Sequence, residues 1–172
     1  TSLHCNYSSN RLSSYSCRLS IDNADGKDDF YHVAGKHSPN KTNEDVIVVS
    51  RDSGTSKNIP SIICSTFTSL ELIDFHNSNV EVISAEAFKK CKNLTVLNLS
   101  NNLLRELPVK VFERNVNLRE LQLSSNQLAM LPDRIFKFLR QLEVLSLRNN
   151  SFVDFPSTLF RSQAILKKLD LS

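Results

Sequence analysis

Glycine is almost missing from this chain, with three residues among 172, and tryptophan is absent. So sparse a supply leaves no glycine-rich loop to cradle a phosphate, and no G-x-S-x-G segment is present. The four histidines, His4, His32, His37 and His76, stand apart, and none belongs to H-E-x-x-H or a comparable pattern. The four cysteines include no C-x-x-C pair and have no matching histidine pair, which is the wrong spacing for zinc. A catalytic centre needs convergent groups and none are visible, so no enzyme activity, cofactor or metal is expected. No apolar run is long enough to span a membrane, so a membrane is expected to be met only through a segment outside this chain. The 21 basic and 18 acidic residues leave a net charge of +3, spread along the sequence without a basic stripe, which argues against a nucleic-acid partner. The chain opens at Thr1 with neither methionine nor an apolar leader, the opening expected of a processed chain or of an expressed piece of one.

What is present is a repeat. Rows that begin at Leu70, Leu94, Leu118, Leu142 and Leu166 follow one another at a constant step of 24 residues without a gap. Each opens with L-x-x-L-x-L, as in Leu94, Leu97 and Leu99, then Leu118, Leu121 and Leu123, then Leu142, Leu145 and Leu147, then Leu166, Leu169 and Leu171. The first of these rows is a conservative variant with Leu70, Ile73 and Phe75. Ser78, Asn102, Asn126 and Asn150 form a second column, and Phe88, Phe112, Phe136 and Phe160 a third. A proline follows an apolar column in three rows, as Pro108, Pro132 and Pro156.

The spacing dictates the packing. The L-x-L pair has the two-residue period of a strand, so its leucines point inward and the residues between them point to solvent. One repeat cannot bury that apolar face; neighbours bury it for one another, which builds a parallel sheet along the inner wall of a solenoid. Each inward leucine contributes about 1.5 to 3 kcal/mol when fully buried. The asparagine amides are expected to bond backbone groups left unpaired in the turn after each strand, a task serine at Ser78 can do only in part. The phenylalanines are expected to stack beneath the convex wall. The expected architecture is therefore an α/β repeat, a right-handed solenoid with a parallel concave sheet.

Residues 1–45 show no repeat and read as an N-terminal cap, with residues 46–172 holding one degenerate, four full and one partial repeat. In the cap, Tyr15 to Ile21 and Phe30 to Ala34 read as the two strands of a hairpin around the Asp25-Gly26 turn, tied to the preceding segment by Cys5 and Cys17. Asp22, Asp25, Asp28 and Asp29 lack the spacing of an EF-hand loop, so a solvated turn is expected rather than calcium. Ser38 to Asn43 reads as an exposed loop. A step of 24 back from Leu70 reaches Val46, and Val49, Ile59-Pro60 and Phe67 fit the later columns of that degenerate first repeat. The last row stops after its strand, and the expectation is either a piece of a longer protein or an end covered by something else.

Four cysteines allow three connectivities, and locality favours Cys5 with Cys17 and Cys64 with Cys91. The latter two fall in inward columns of successive repeats and would close a loop worth about 3.5 kcal/mol; the alternative is a pair of buried thiols. Five N-x-S/T acceptors occur, at Asn6, Asn40, Asn93, Asn98 and Asn149. With the cysteines and the repeat type they point to a secreted, extracellular glycoprotein.

With no chemistry to place, a surface remains. The outward strand positions read as three columns: Val48, Leu72, Val96, Glu120, Val144 and Lys168; Ser50, Asp74, Asn98, Gln122, Ser146 and Asp170; Asp52, His76, Ser100, Ser124, Arg148 and Ser172. Apolar side chains bordered by hydrogen-bonding groups suit a protein partner; the competing reading is that the valines serve strand preference alone. The expected binding surface is Leu72, Asp74, His76, Val96, Asn98, Ser100, Glu120, Gln122, Ser124, Val144, Ser146 and Arg148, with Arg148 the expected anchor. The convex side, on this reading, is committed to the core.

The leucine columns resemble the typical-class leucine-rich repeat. The cysteine-bearing N-terminal unit, N-I-P-S-I-I-C at Asn58 to Cys64 and A-E-A-F-K-K-C-K-N-L at Ala85 to Leu94 resemble secreted insect members, including the mosquito leucine-rich-repeat immune proteins. That resemblance implies a hemolymph protein that binds partners in innate defence, by pathogen recognition or by binding a complement-like thioester protein. The coiled-coil tail and C-terminal cysteines of those partner-binding members have no counterpart in this sequence. The alternative is the ectodomain of a leucine-rich repeat receptor or adhesion protein.

Overall fold

The computed structural model describes residues 2–9, 15–22, 32–34, 40–51 and 57–172. The Asp25-Gly26 turn, Asp28, Asp29, Phe30, His37, Pro39 and Asp52 lie outside the described residues. Nine strands form one sheet: β1 (Ser2–Ser9), β2 (Tyr15–Asp22), β3 (His32–Ala34), β4 (Val46–Arg51), β5 (Leu72–Asp74), β6 (Val96–Asn98), β7 (Glu120–Gln122), β8 (Val144–Ser146) and β9 (Lys168–Asp170). Their order in the sheet is β3-β1-β2-β4-β5-β6-β7-β8-β9.

From β4 onward every pair is parallel, and the register advances by one repeat at each step, as in Ile73↔Leu97, Leu97↔Leu121 and Leu121↔Leu145. The inward residues Leu94, Leu97, Leu99, Leu118, Leu121, Leu123, Leu142, Leu145 and Leu147 are all buried. In the last row Leu166 is partly buried and Leu169 and Leu171 are exposed. The first repeat is degenerate in one further respect: Arg51 occupies, buried, the inward column that Phe75, Leu99, Leu123 and Leu147 fill in the later rows.

The asparagine column works as a chain of bridges. Asn102 Oδ1 accepts from the Ser78 and Val80 amides at 3.0 Å each, while its Nδ2 donates to the Phe75 and Leu99 carbonyls at 2.8 and 2.9 Å. Asn126 and Asn150 repeat the two carbonyl contacts one and two rows on, while their Oδ1 atoms accept from the Leu104 and Leu128 amides. The Ser78 hydroxyl, in the same column, donates to the His76 carbonyl at 3.1 Å. Just before this column stand Asn77, Asn101, Ser125 and Asn149, all with φ between 53° and 55°. Asparagine tolerates that left-handed backbone because its short polar side chain can bond locally.

On the opposite wall the four phenylalanine rings stack at centroid distances of 6.3, 6.5 and 6.2 Å, and Phe88, Phe112 and Phe136 are buried. The backbone around them runs in single i→i+3 turns, such as Ala87 N–H to Ser84 O and Cys91 N–H to Phe88 O. Among the described residues only α1 (Ile63–Thr66) is an α-helix. The span between one turn and the next strand leaves too few residues to propagate one. Two polar residues enter this wall. Asn115 Nδ2 donates to the Phe88 and Cys91 carbonyls at 2.9 Å each, and Gln163 Nε2 to the Phe136 and Leu139 carbonyls at 2.7 and 3.3 Å.

The cap departs from the hairpin read in the sequence. β2 pairs antiparallel with β1, from Ser2↔Asp22 to Ser9↔Tyr15, whereas β3 lies beyond β1 and runs parallel to it. The reason is that β2 has two edges and one of them receives β4, with Cys17 opposite Val49. The other edge goes to the longest available strand, the eight residues of β1, leaving β3 the outer edge. Cys5 bonds Cys17 across the β1–β2 pair with Cα atoms 5.2 Å apart, and Cys64 bonds Cys91 between the first two repeats at 4.9 Å.

Candidate functional site

Parallel pairing fixes the outward residues in a grid. Leu72, Val96, Glu120, Val144 and Lys168 face one another across β5 to β9, and so do Asp74, Asn98, Gln122, Ser146 and Asp170. Leu72, Val96, Glu120 and Val144 are half-buried and Lys168 is exposed. Asp74, Asn98 and Gln122 are half-buried, while Ser146 is 9% exposed and offers little surface. In the third column His76 and Arg148 are exposed and Ser100 and Ser124 half-buried.

Neighbouring polar groups hold one another. Asp74 Oδ1 lies 2.7 Å from His76 Nδ1, and Asn98 Oδ1 accepts from the Ser100 hydroxyl at 2.7 Å and its amide at 3.1 Å. Asp170 accepts from the Ser172 hydroxyl and amide, which lower its pKa, the hydroxyl chiefly. Gln122 Nε2 donates to Glu120 Oε1 at 2.9 Å. A fixed array of this kind presents donors and acceptors at little entropic cost on binding.

At one border of the grid the strands begin in a charge ladder. Glu143 receives Arg119 at 2.7 Å and Lys167 at 2.6 Å, and the Lys167 hydrogen bond, then that of Arg119, holds its carboxyl below the usual range. At the other border Arg148 lines an open hollow with Asn101, Ser124, Ser125, Asn149, Phe152 and the final residues Leu171 and Ser172. Reading the strands in twos passed over Asn101, Ser125 and Asn149; the recurrence of asparagine one place before the bridging column was the available sign. Among the described residues no three His, Cys, Asp or Glu side chains gather as metal ligands.

Of the glycosylation acceptors, Asn40, Asn93 and Asn149 are exposed and Asn98 is half-buried on β6 within the grid. Asn6 lies in β1, with its side chain outside the described residues. Asn149 Nδ2 also donates to Ser125 Oγ at 3.2 Å.

A leucine rich repeat family model matches residues 68–128 and 116–172. No curated protein is matched in sequence. Among solved structures, the APL1 leucine-rich repeat domain superposes with a TM-score of 0.78 at 24% identity, over 99% of this chain and 42% of that one. The LRIM1/APL1C complex gives 0.76 at 24%, over 99% of this chain and 30% of that one. TLR13 in its complex with ssRNA13 gives 0.61 at 24%, over 75% and 22%. The chain thus spans less than half the length of each of these three solved chains. No helix among the described residues is long and apolar enough to cross a membrane.

Proposed function

Because the chain belongs to the leucine-rich repeat family, we propose that it is a non-catalytic, secreted recognition module that binds a protein partner through the concave face. The working division is a cap at residues 1–45 and repeats at 46–172. The observation that carries the reading is the grid: apolar Leu72, Val96 and Val144 stand in register beside Asp74, Asn98 and Gln122, on a sheet whose backbone is already fully engaged. Such a surface has half-buried apolar positions, interrupted by Glu120 and edged by hydrogen-bonding groups, an anatomy that suits a protein interface. Arg148, exposed where the grid meets the hollow, is the expected energetic anchor. A role in insect innate defence, with a pathogen component or a complement-like protein as partner, draws on the likeness to the APL1 and LRIM1/APL1C structures over 99% of the chain. The likeness to TLR13 over 75% of the chain favours, second, the ectodomain of a cell-surface receptor.

The test uses a partner captured from extracellular fluid and then purified, with affinities measured for the native chain, for Val144→Ala/Arg148→Ala, and for a cap variant at the exposed β2 position Arg18, Arg18→Ala. The concave double variant should lose roughly 2 kcal/mol or more, as hot-spot residues do. Unchanged affinity there, with loss in the cap variant, would move the site off the concave face. Glycan mapping bears on the same surface, since an occupied Asn98 would obstruct its centre.

A further inference from the structure

The convex wall is not only core. Its segments 85–93, 109–117, 133–141 and 157–165 carry nine of the chain's 21 basic residues and three of its 18 acidic ones. The remainder of the chain, with twelve basic and fifteen acidic residues, is therefore acidic. A sequence with little net charge, whose densest basic stretch is Lys89, Lys90 and Lys92, thus gathers cations along its convex segments, because residues one repeat apart become neighbours.

All nine of these cations are exposed. Lys89 is paired with Glu86 at 2.7 Å and Arg134 with Asp133 at 3.5 Å; the other seven have no acidic partner within ion-pair distance among the described residues. Grooves between successive repeats run through them. One is lined by Lys89, Lys110 and Arg114 together with Glu86 and Glu113, and another, of about 160 Å³ and free of carboxylates, by Arg134 and Lys137 of one repeat and Arg161 of the next, with Thr158 and Ser162 between. Unpaired cations side by side repel one another, and an anionic chain laid across them removes that repulsion while releasing its own counterions.

We propose that this convex band is a second binding surface, for a sulfated polysaccharide lying across the repeats, independent of the protein-binding concave face. Single-stranded nucleic acid is the less suitable polyanion. Its binding draws on aromatic platforms for the bases, and in the band Phe88, Phe112 and Phe136 are buried in the stack and Phe160 is partly buried, which leaves Phe138 as the exposed aromatic. The Ser162 hydroxyl beside Lys137 and Arg161 suits sulfate and sugar oxygens instead, whereas the Thr158 hydroxyl is given to Asp133 and the Asn117 amide to the Lys92 carbonyl.

Heparin serves as the probe, with a single-stranded oligonucleotide of matched charge as competitor. Three proteins are compared at physiological and raised salt: the native chain, the band variant Arg114→Gln/Lys137→Gln/Arg161→Gln, and an equally neutralised variant off the band, Lys41→Gln/Lys57→Gln/Arg105→Gln. The band variant should bind heparin at least about tenfold more weakly with a shallower salt dependence, and the off-band variant should change by less than about twofold. All six positions are exposed, so thermal melting should match across the three; single Lys137→Gln and Arg161→Gln variants repeat the measurement if the triple melts early. Equal losses in both triples would reduce the effect to net charge and overturn the proposal. Tighter binding of the oligonucleotide, lost in the band variant, would overturn the polysaccharide assignment.

Discussion

The first repeat and the interior repeats solve the same problem by different means. In the interior, Phe112 has a ring on either side, and Asn102 and Asn126 each tie their own turn to the row before it. At the N-terminal side the columns run out: Cys64 stands in the phenylalanine column, Ser78 in the asparagine column and Arg51 in a leucine column. Covalent bonds take over there, Cys64 to Cys91 between repeats and Cys5 to Cys17 in the cap. A column stabilises by nearest-neighbour contact, so its end member has half the contacts, and a cross-link acts where half is too little.

That comparison can be broken in order of expected effect. Phe112→Ala should cost about 3 to 5 kcal/mol, as buried aromatics do, and Phe160→Ala, partly buried with one stacked neighbour in the column, distinctly less. Chemical denaturation measures both, and equal losses would show that the rings act singly rather than as a stack. Cys64→Ser/Cys91→Ser should cost about 3.5 kcal/mol through the loop it opens. A melting point unmoved by this change would mean that packing alone holds the first repeat.

Asn102→Ala should cost roughly 2 to 3 kcal/mol, because buried amides and carbonyls lose their partner. The effect should centre on the turn at Ser78, and faster hydrogen exchange at the Ser78 and Val80 amides is the readout. The smallest effect belongs to Glu143. Its carboxyl is held below its usual value of 4.5 by Lys167 and then Arg119. A lowered folded pKa gives stability that is present above the unfolded value and lost as pH falls through the folded one. The native melting temperature should thus fall as pH drops below that value, and Glu143→Gln should remove part of the fall. Glu143 is half-buried but its partners Arg119 and Lys167 are exposed, so added salt should shrink the difference. Superimposable pH profiles would show that the ladder contributes nothing.

How far the sequence could be read follows from the same physics. Leu97, Asn102 and Phe112 recur at one step because each must meet its own kind in the next row, so their role is visible in the spacing. The strand β1 was not visible: only Leu3, Cys5 and Tyr7 alternate among polar residues, and its pairing depends on which edge of β2 the solenoid leaves free. Asn115 and Gln163 were equally hidden, since they share an inward column with Phe67, Cys91 and Leu139 and differ from them in chemistry. The basic band was invisible for the opposite reason. Arg114, Lys137 and Arg161 are more than twenty residues apart in sequence and become one surface only when the repeats stack. The concave grid was legible residue by residue, apart from the low exposure of Ser146.

The phenylalanine stack also sets a radius. Its rings are 6.2 to 6.5 Å apart, whereas hydrogen-bonded strands lie about 4.8 Å apart. The same repeats therefore take a longer step along the outer wall than along the inner one, and the chain must bend into an arc whose tightness depends on that difference. Smaller side chains in the column would let the outer wall shorten and the arc open, spreading Leu72, Val96 and Val144 onto a flatter surface. Side chains that touch no partner would in this way decide the width of the object the inner wall can embrace.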